Sequence, residues 1–155
     1  MTEKEINIKF HEYSSLDELN KEDRELADAA IDAMKGSYAP YSHFLVGAAL
    51  LTSSGKIYTG VNIENAAYGP SNCAERTAVF KAVSEGEKDF VAIAIAGGPV
   101  GGDVQYCPPC GVCRQVLAEF CKPNFLILLT DGSEDVKRYT LAKLLPESFG
   151  PDNLK

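Results

Sequence analysis

Residues 90–96 read Phe-Val-Ala-Ile-Ala-Ile-Ala, and this uninterrupted apolar run decides the fold. Apolar side chains at every position are typical of a strand that is buried on both faces. Residues 125–130 form a second run of this kind, and a helical pattern over residues 110–121 lies between the two runs. Strands that alternate with helices in this way predict a mixed sheet with helices on both of its faces.

The segments that flank these runs extend the same architecture. Residues 44–52 and 56–61 are predicted to form a hairpin around a Ser-Ser-Gly turn. Further helices are predicted after a cap at Asn20 and from residue 71 or 72 to residue 84. A weak strand over residues 137–140 and a short helix over 141–145 follow the second apolar run. Ligands in such sheets bind beyond the carboxyl ends of strands, where helices begin.

Length and charge exclude several classes of function. The 155 residues suit one domain, and we expect a polar arm over 1–18, a single domain over 19–150 and a tail over 151–155. Fifteen basic and 22 acidic side chains give a net charge of −7, which disfavours nucleic acid as a partner. The longest apolar run has eight residues, at 44–51, so no membrane span is expected. The N-terminus lacks a secretory pattern, and we predict a cytoplasmic protein.

The cysteines predict a metal site. Cys110 and Cys113 are three residues apart at a predicted helix start, and Cys73 stands at the start of another helix. The positive end of a helix dipole lowers the pKa of a thiol, and the thiolate is the form that binds metal. A catalytic zinc has three protein ligands and keeps a position for water, whereas a structural zinc has four. Glu75, beside Cys73, is the candidate to act on that water.

Other interpretations stay open from the residues alone. Cys110 and Cys113 could form a dithiol redox pair, and Cys107 could supply a fourth ligand to a structural zinc. We expect Cys107 to lie beside the site and Cys121 to belong to the core.

Longer motifs add a resemblance to a known family. Cys-Ala-Glu at 73–75 and Pro-Cys-Gly-Val-Cys at 109–113 match the zinc deaminase signature. Residues 39–49 read Ala-Pro-Tyr-Ser-His-Phe-Leu-Val-Gly-Ala-Ala, and residues 60–68 read Gly-Val-Asn-Ile-Glu-Asn-Ala-Ala-Tyr. Together with Cys-Arg-Gln at 113–115, this sequence resembles the small, homotetrameric type of the cytidine and deoxycytidylate deaminase family over about residues 20–150.

The resemblance implies a fold, a reaction and a set of site residues. The fold would be a three-layer α/β/α sandwich with a mixed five-stranded sheet, in a homotetramer with shared active sites. The reaction would be the hydrolytic deamination of free cytidine and deoxycytidine in pyrimidine salvage, with one zinc ion per subunit. Cys73, Cys110 and Cys113 would hold the zinc, and Glu75 would carry the proton. The residues implied in substrate binding are Phe44, Asn62, Glu64, Ala66, Tyr68 and Phe149.

Two arginines follow these motif residues directly. Three thiolates and one zinc ion sum to a charge of −1, which weakens the metal as a Lewis acid. We therefore predict that Arg76, Arg114 or both donate hydrogen bonds to the sulfurs. A deaminase of a blasticidin-like cytosine nucleoside is the alternative enzyme, although Asn-Ile-Glu-Asn at 62–65 favours ordinary ribose. From another class, the alternative is a structural zinc or dithiol redox module.

Overall fold

The computed structural model describes residues 1–132 and 135–155, which form one sheet with helices on both faces. The strands are β1 (His11–Tyr13), β2 (Phe44–Thr52), β3 (Ile57–Val61), β4 (Phe90–Pro99), β5 (Leu126–Thr130) and β6 (Val136–Thr140). The helices are α1 (Lys21–Ala33), α2 (Ala74–Ser84), α3 (Gly111–Phe120) and α4 (Leu141–Leu144). Short 3-10 turns lie at Leu16–Glu18, Met34–Gly36 and Pro151–Leu154.

The sheet has the strand order β1-β6-β5-β4-β2-β3. Strands β4 and β5 run parallel and are joined through α3, while the other neighbouring pairs are antiparallel. The predicted α/β/α class with a mixed sheet is confirmed, but the expected count of five strands is wrong by one. The sixth strand comes from the N-terminal arm, where His11–Tyr13 pair with the outer edge of β6.

The two faces of the sheet bury side chains of different size. On β4, Ile93 and Ile95 belong to the core under α2 and α3, whereas Ala92, Ala94 and Ala96 belong to the core under α1. Because side chains alternate along a strand, an uninterrupted apolar run is what such a doubly covered strand requires. Among the described residues, no helix combines the length and the hydrophobicity needed to span a bilayer.

Close packing of α2 on β3 depends on Gly60. A Cβ atom at this position would lie 2.3 Å from the carbonyl oxygen of Ala74 and 2.4 Å from the amide nitrogen of Ala78. Both of these atoms belong to the backbone of α2, so this glycine lets the helix lie directly against the strand. The N-terminal end of α2 is thereby fixed relative to the sheet.

Candidate metal centre and substrate pocket

Two helix starts bring three cysteine sulfurs together. Cys73 is the N-cap residue of α2 and Cys110 is the N-cap residue of α3, with Cys113 in the first turn of α3. The Cys110 sulfur also accepts a hydrogen bond of 3.5 Å from the backbone amide of Cys113. Because both N-cap residues are cysteines, their thiols lie at the positive ends of two helix dipoles, where thiolates are favoured.

The spacing of the sulfurs suits a tetrahedral zinc site. The Sγ atoms of Cys73 and Cys110 are 3.9 Å apart, those of Cys110 and Cys113 are 3.5 Å apart, and all three lie within 4.8 Å of one another. Zinc–sulfur bonds of about 2.3 Å in tetrahedral geometry place sulfurs about 3.8 Å apart. The three thiols therefore fit a zinc ion, and Cys107 is not a member of this cluster.

The three thiols share charge unequally. The pKa of Cys73 is lowered to about 5, chiefly by a hydrogen bond from Cys113, and Arg76 lowers it further. The pKa of Cys113 is raised because this thiol bonds to Cys73 and is buried. The guanidinium Nη2 of Arg76 lies 3.5 Å from the Cys73 sulfur and 3.5 Å from the carbonyl oxygen of Ser71. Arg76 thus places a positive charge beside the Cys73 sulfur.

Glu75 points its carboxyl group into the same region. The residue is 4% exposed, and burial raises the pKa of its carboxyl group to about 6. Two positions that are two residues apart on a helix point in different directions, so Cys73 and Glu75 could not share one helix face. Cys73, however, precedes α2 and has an extended conformation. Cys73 and Glu75 consequently line one cavity from the end of the helix.

A cavity of about 350 Å³ opens in front of the cysteines. Its walls come from the end of β3, the start of α2, the start of β2 and the loop before α3. The lining residues are Val46, Asn62, Glu64, Ser71, Asn72, Cys73, Ala74, Glu75, Arg76, Cys107, Pro108 and Cys110. The site therefore combines a metal-binding corner, a buried carboxyl group and polar side chains in one pocket.

Asn62 lines the pocket but also extends the sheet. Its Oδ1 accepts a hydrogen bond of 2.8 Å from the amide of Val46, and its Nδ2 donates one of 2.9 Å to the carbonyl of Phe44. The backbone pairing of β2 with β3 ends at the pair Gly47 and Val61. Beyond that pair, the side-chain amide of Asn62 takes the place of a backbone group. This contact fixes the start of β2 beside the pocket.

Glu64, another lining residue of the pocket, is held by backbone amides. One carboxylate oxygen, Oε2, accepts from the amides of Tyr41 (2.9 Å) and Ser42 (3.2 Å). Hydrogen bonds from Ser42 and Tyr41 lower the pKa of Glu64, so the carboxylate stays ionised at neutral pH. These two amides are site elements that no side-chain motif in the sequence could reveal, because any residue type supplies a backbone N–H.

Phe44 and Cys107 pack around Gly97. A Cβ atom on Gly97 would lie 2.9 Å from the Cβ of Cys107 and 3.0 Å from the Cε1 of Phe44. Burial raises the pKa of Cys107 to about 11, so its thiol stays neutral. The structure agrees with the expectation that Cys107 lies beside the site rather than in the ligand cluster.

Four of the six substrate-binding residues implied by the resemblance do not line this pocket: Phe44, which packs beside Gly97, and three exposed residues, Ala66, Tyr68 and Phe149. Ala66 is exposed, Tyr68 is 71% exposed with a φ of 54°, and Phe149 is 59% exposed. The ring of Tyr68 contacts that of Tyr41 edge to face at 6.1 Å. Within a single chain the three exposed side chains border solvent and do not meet the cysteines.

Arg114 differs from the expectation that it bonds to sulfur. Its Nε donates to the carbonyl of Pro109 at 2.8 Å, and its Nη1 donates to the carbonyl of Leu144 at 2.6 Å. Pro109 directly precedes Cys110, the N-cap of α3, and Arg114 lies five residues after Pro109. The guanidinium group therefore reaches back over the first turn of α3 to the preceding loop. Arg114 therefore ties the Cys110 segment to the end of α4.

Comparison with known proteins places this site in a family. The zinc-binding region of cytidine and deoxycytidylate deaminases matches residues 20–129, well over half of the chain, and the match includes the three cysteines and Glu75. The chain belongs to the cytidine and deoxycytidylate deaminase family. The prediction of a zinc-dependent deaminase is thereby confirmed, and Cys73, Cys110 and Cys113 are the cluster that could hold the metal.

Individual deaminases resemble the chain over most of its length. A cytidine deaminase of Halalkalibacterium halodurans is 48% identical over 129 residues, covering 83% of this chain and 95% of that protein. The crystal structure of a cytidine deaminase from Burkholderia pseudomallei has a TM-score of 0.74 and 46% identity, covering 81% and 97% of the two chains. A blasticidin-S deaminase of Bacillus cereus is 30% identical over 135 residues, covering 84% and 94%.

Proposed function

We propose that the protein deaminates free cytidine and deoxycytidine hydrolytically, releasing uridine or deoxyuridine and ammonia. The observation that carries the proposal is the buried carboxyl group of Glu75 in one cavity with the sulfurs of Cys73 and Cys110. Relatives named cytidine deaminase, at up to 48% identity among those compared above, support the same reaction.

Cys73, Cys110 and Cys113 would hold the zinc ion in this reaction. When bound there, zinc acts as a Lewis acid that makes a water molecule acidic enough to lose its proton near neutral pH. Arg76 offsets the surplus negative charge of the three thiolates through its contact with Cys73.

Glu75 is the proton carrier in the proposal. Its carboxylate takes the proton of the attacking water and delivers it to ring N3 of cytosine. The water oxygen forms a bond to C4, and Glu75 then carries the remaining proton of that oxygen to the exocyclic amino group. The bond between C4 and this nitrogen breaks, ammonia leaves, and the C4 oxygen becomes the carbonyl of uracil. Proton transfer by a positioned carboxyl group contributes about 10²- to 10⁴-fold in rate.

Asn62 and Glu64 are the proposed contacts of the sugar hydroxyls. Both line the cavity, and one oxygen of Glu64 is already fixed by backbone amides. An ionised carboxylate held in this way accepts hydrogen bonds from hydroxyl groups but repels a phosphate. The pocket thus favours nucleosides over nucleotides, and Phe44 is proposed to pack near the base.

We also propose that the active sites are completed in a homotetramer. Tyr68 and Phe149 are large aromatic residues that a single chain leaves 71% and 59% exposed, and Ala66 is exposed as well. Large exposed aromatic residues are enriched at protein interfaces. Sedimentation analysis should give a tetramer, and Phe149→Ala should raise KM for cytidine without loss of zinc. A monomer with full activity would contradict this part of the proposal.

The variant Glu75→Gln tests the proposed reaction. The amide has the same shape as the carboxyl group but cannot carry a proton, so kcat for cytidine should fall by at least about 10²-fold. Zinc content and the thermal unfolding midpoint should stay those of the wild type. A structural zinc or dithiol redox module would show no deaminase activity to lose, and a wild-type kcat in the variant would refute the role of Glu75.

The alternative substrate is a blasticidin-like cytosine nucleoside, because one relative is named blasticidin-S deaminase. Its 30% identity is well below the 48% of the cytidine deaminase from Halalkalibacterium halodurans. We therefore rank cytidine first and include blasticidin S in the substrate test. A cytoplasmic site of action stays a prediction from the sequence.

A further inference from the structure

Lys137, on β6, lies between the N-terminal arm and the loop that leads to α3. Its ammonium group is 4.0 Å from the ring centroid of Tyr106 and 6.0 Å from that of Phe10. The same ammonium group pairs with the carboxylate of Glu12, on β1, at 3.4 Å. The Lys137 side chain is 26% exposed, and a cation placed over an aromatic face is attracted by the ring.

The arm is anchored at this point by further contacts. The ring of Phe10 stacks on Tyr139 of β6, with the centroids 4.8 Å apart and the planes 22° apart. Backbone pairing joins Glu12 directly to Lys137 in the antiparallel register of β1 and β6. The family match covers residues 20–129, so the arm residues Phe10 and Glu12 and their partners on β6 all lie outside it, whereas Tyr106 lies within it.

The segment from Tyr106 to Cys110 is short and stiff. It reads Tyr-Cys-Pro-Pro-Cys, and the two prolines, Pro108 and Pro109, each have a fixed φ angle. With these two φ angles fixed, the backbone between Tyr106 and Cys110 has fewer free rotations than an ordinary segment of this length. A displacement of the ring therefore reaches the metal-binding thiol more directly than it would through a segment without prolines.

We propose that Lys137 is a positioning residue for the metal centre, which acts by holding Tyr106 and, through the Pro108-Pro109 pair, Cys110. Glu12 and Phe10 of the arm keep the ammonium group over the Tyr106 ring. Arg114 holds the same segment from its other side through the carbonyl of Pro109. The proposal rests on the proposed zinc site and adds to it a role for the N-terminal arm.

Zinc release from the folded protein tests the proposal. The holoenzyme is mixed with an excess of a chromogenic zinc chelator, and the first-order rate of zinc transfer is recorded under conditions in which every variant is folded. Lys137→Met removes the charge and keeps the length of the side chain, and it should speed release by about 3- to 20-fold. Lys137→Arg keeps a cation over the ring and should restore the wild-type rate.

Two substitutions of Tyr106 separate the aromatic contact from simple packing. Tyr106→Leu removes the aromatic face and should speed release as Lys137→Met does, while the double variant should release no faster than either single one. Tyr106→Phe keeps the face and removes a buried hydroxyl that has no hydrogen-bond partner among the described residues. This variant should therefore keep the wild-type release rate.

A matched control is Lys56→Met, which breaks the ion pair of 3.6 Å between Lys56, in the β2–β3 hairpin, and Glu87, in the loop after α2. Lys56→Met should leave the rate of zinc release unchanged. The double variant Phe10→Ala with Glu12→Gln should speed zinc release, as Lys137→Met does. Wild-type release from Lys137→Met, or equal acceleration in both lysine variants, would overturn the proposal. A wild-type protein that binds no zinc would instead refute the proposed function on which it rests.

Discussion

Replacing Gly60 by alanine should damage the site through the packing of α2. A new Cβ would lie 2.3 Å from the carbonyl oxygen of Ala74, whereas ordinary contacts of a Cβ begin at 3.4 Å. Neither backbone can rotate away, so the helix must retreat by about 1 Å. Overpacking of this kind costs about 1–3 kcal/mol, and we expect about 3 kcal/mol because both partners are backbone.

The same retreat moves Cys73 and Glu75, which stand at the start of α2. A misplacement of about 1 Å at reacting groups lowers the rate by about 10²-fold. In Gly60→Ala, kcat/KM per folded molecule should therefore fall by about that factor, and zinc should be released faster. The assays are urea unfolding, the decrease in cytidine absorbance and zinc transfer to a chelator.

Gly47→Ala provides the matched comparison. Its Cβ would lie 2.1 Å from the carbonyl oxygen of Ala30 and 2.7 Å from the amide of Met34, at α1 and the turn after it. A similar loss of stability is expected, with a much smaller loss of kcat/KM per folded molecule because α2 is not displaced. A Gly60→Ala protein with wild-type stability and activity would refute the reasoning, and so would equal catalytic losses in the two variants.

Further predictions concern individual side chains of the pocket. Arg76→Ala should keep zinc bound but lower kcat, since the thiolates lose their balancing charge; unchanged turnover with zinc bound would contradict this. Cys107→Ala should keep full zinc content, measured by metal analysis, because this thiol lies outside the ligand cluster. Asn62→Ala should cost about 1–3 kcal/mol in urea unfolding, since Val46 and Phe44 lose their partners, whereas Asn62→Asp should keep the bond from Val46.

Much of the fold was predictable from local pattern. The strand over residues 44–52 has the expected bounds, and Asn20 caps α1 as predicted, accepting from the amide of Asp23 at 2.8 Å. These features depend on neighbouring residues alone, through a continuous apolar run or a helix cap. The extension of β4 to Pro99 was missed because glycines at 97 and 98 indicate a loop locally, although pairing with β2 keeps them in the sheet.

The sixth strand could not be predicted from the arm itself. His11–Tyr13 contain no apolar run, and they form a strand because β6 offers them a free edge for pairing. That edge is distant in sequence: Tyr13 and Arg138, whose side chains are in contact, are 125 residues apart. The metal cluster was predictable because cysteine spacing and chemistry are written in the sequence. The role of Arg114 was not, because its partners are backbone carbonyls whose positions only the folded loop defines.

The most direct test of the proposed function is ammonia release by the purified, zinc-loaded protein. The substrates are cytidine, deoxycytidine, cytosine, dCMP, blasticidin S and a short single-stranded DNA, each with Glu75→Gln as the control. The account predicts turnover of cytidine and deoxycytidine, with the base, the nucleotide and the DNA left unchanged. Ammonia from neither nucleoside, in a protein that holds one zinc ion per chain, would contradict it.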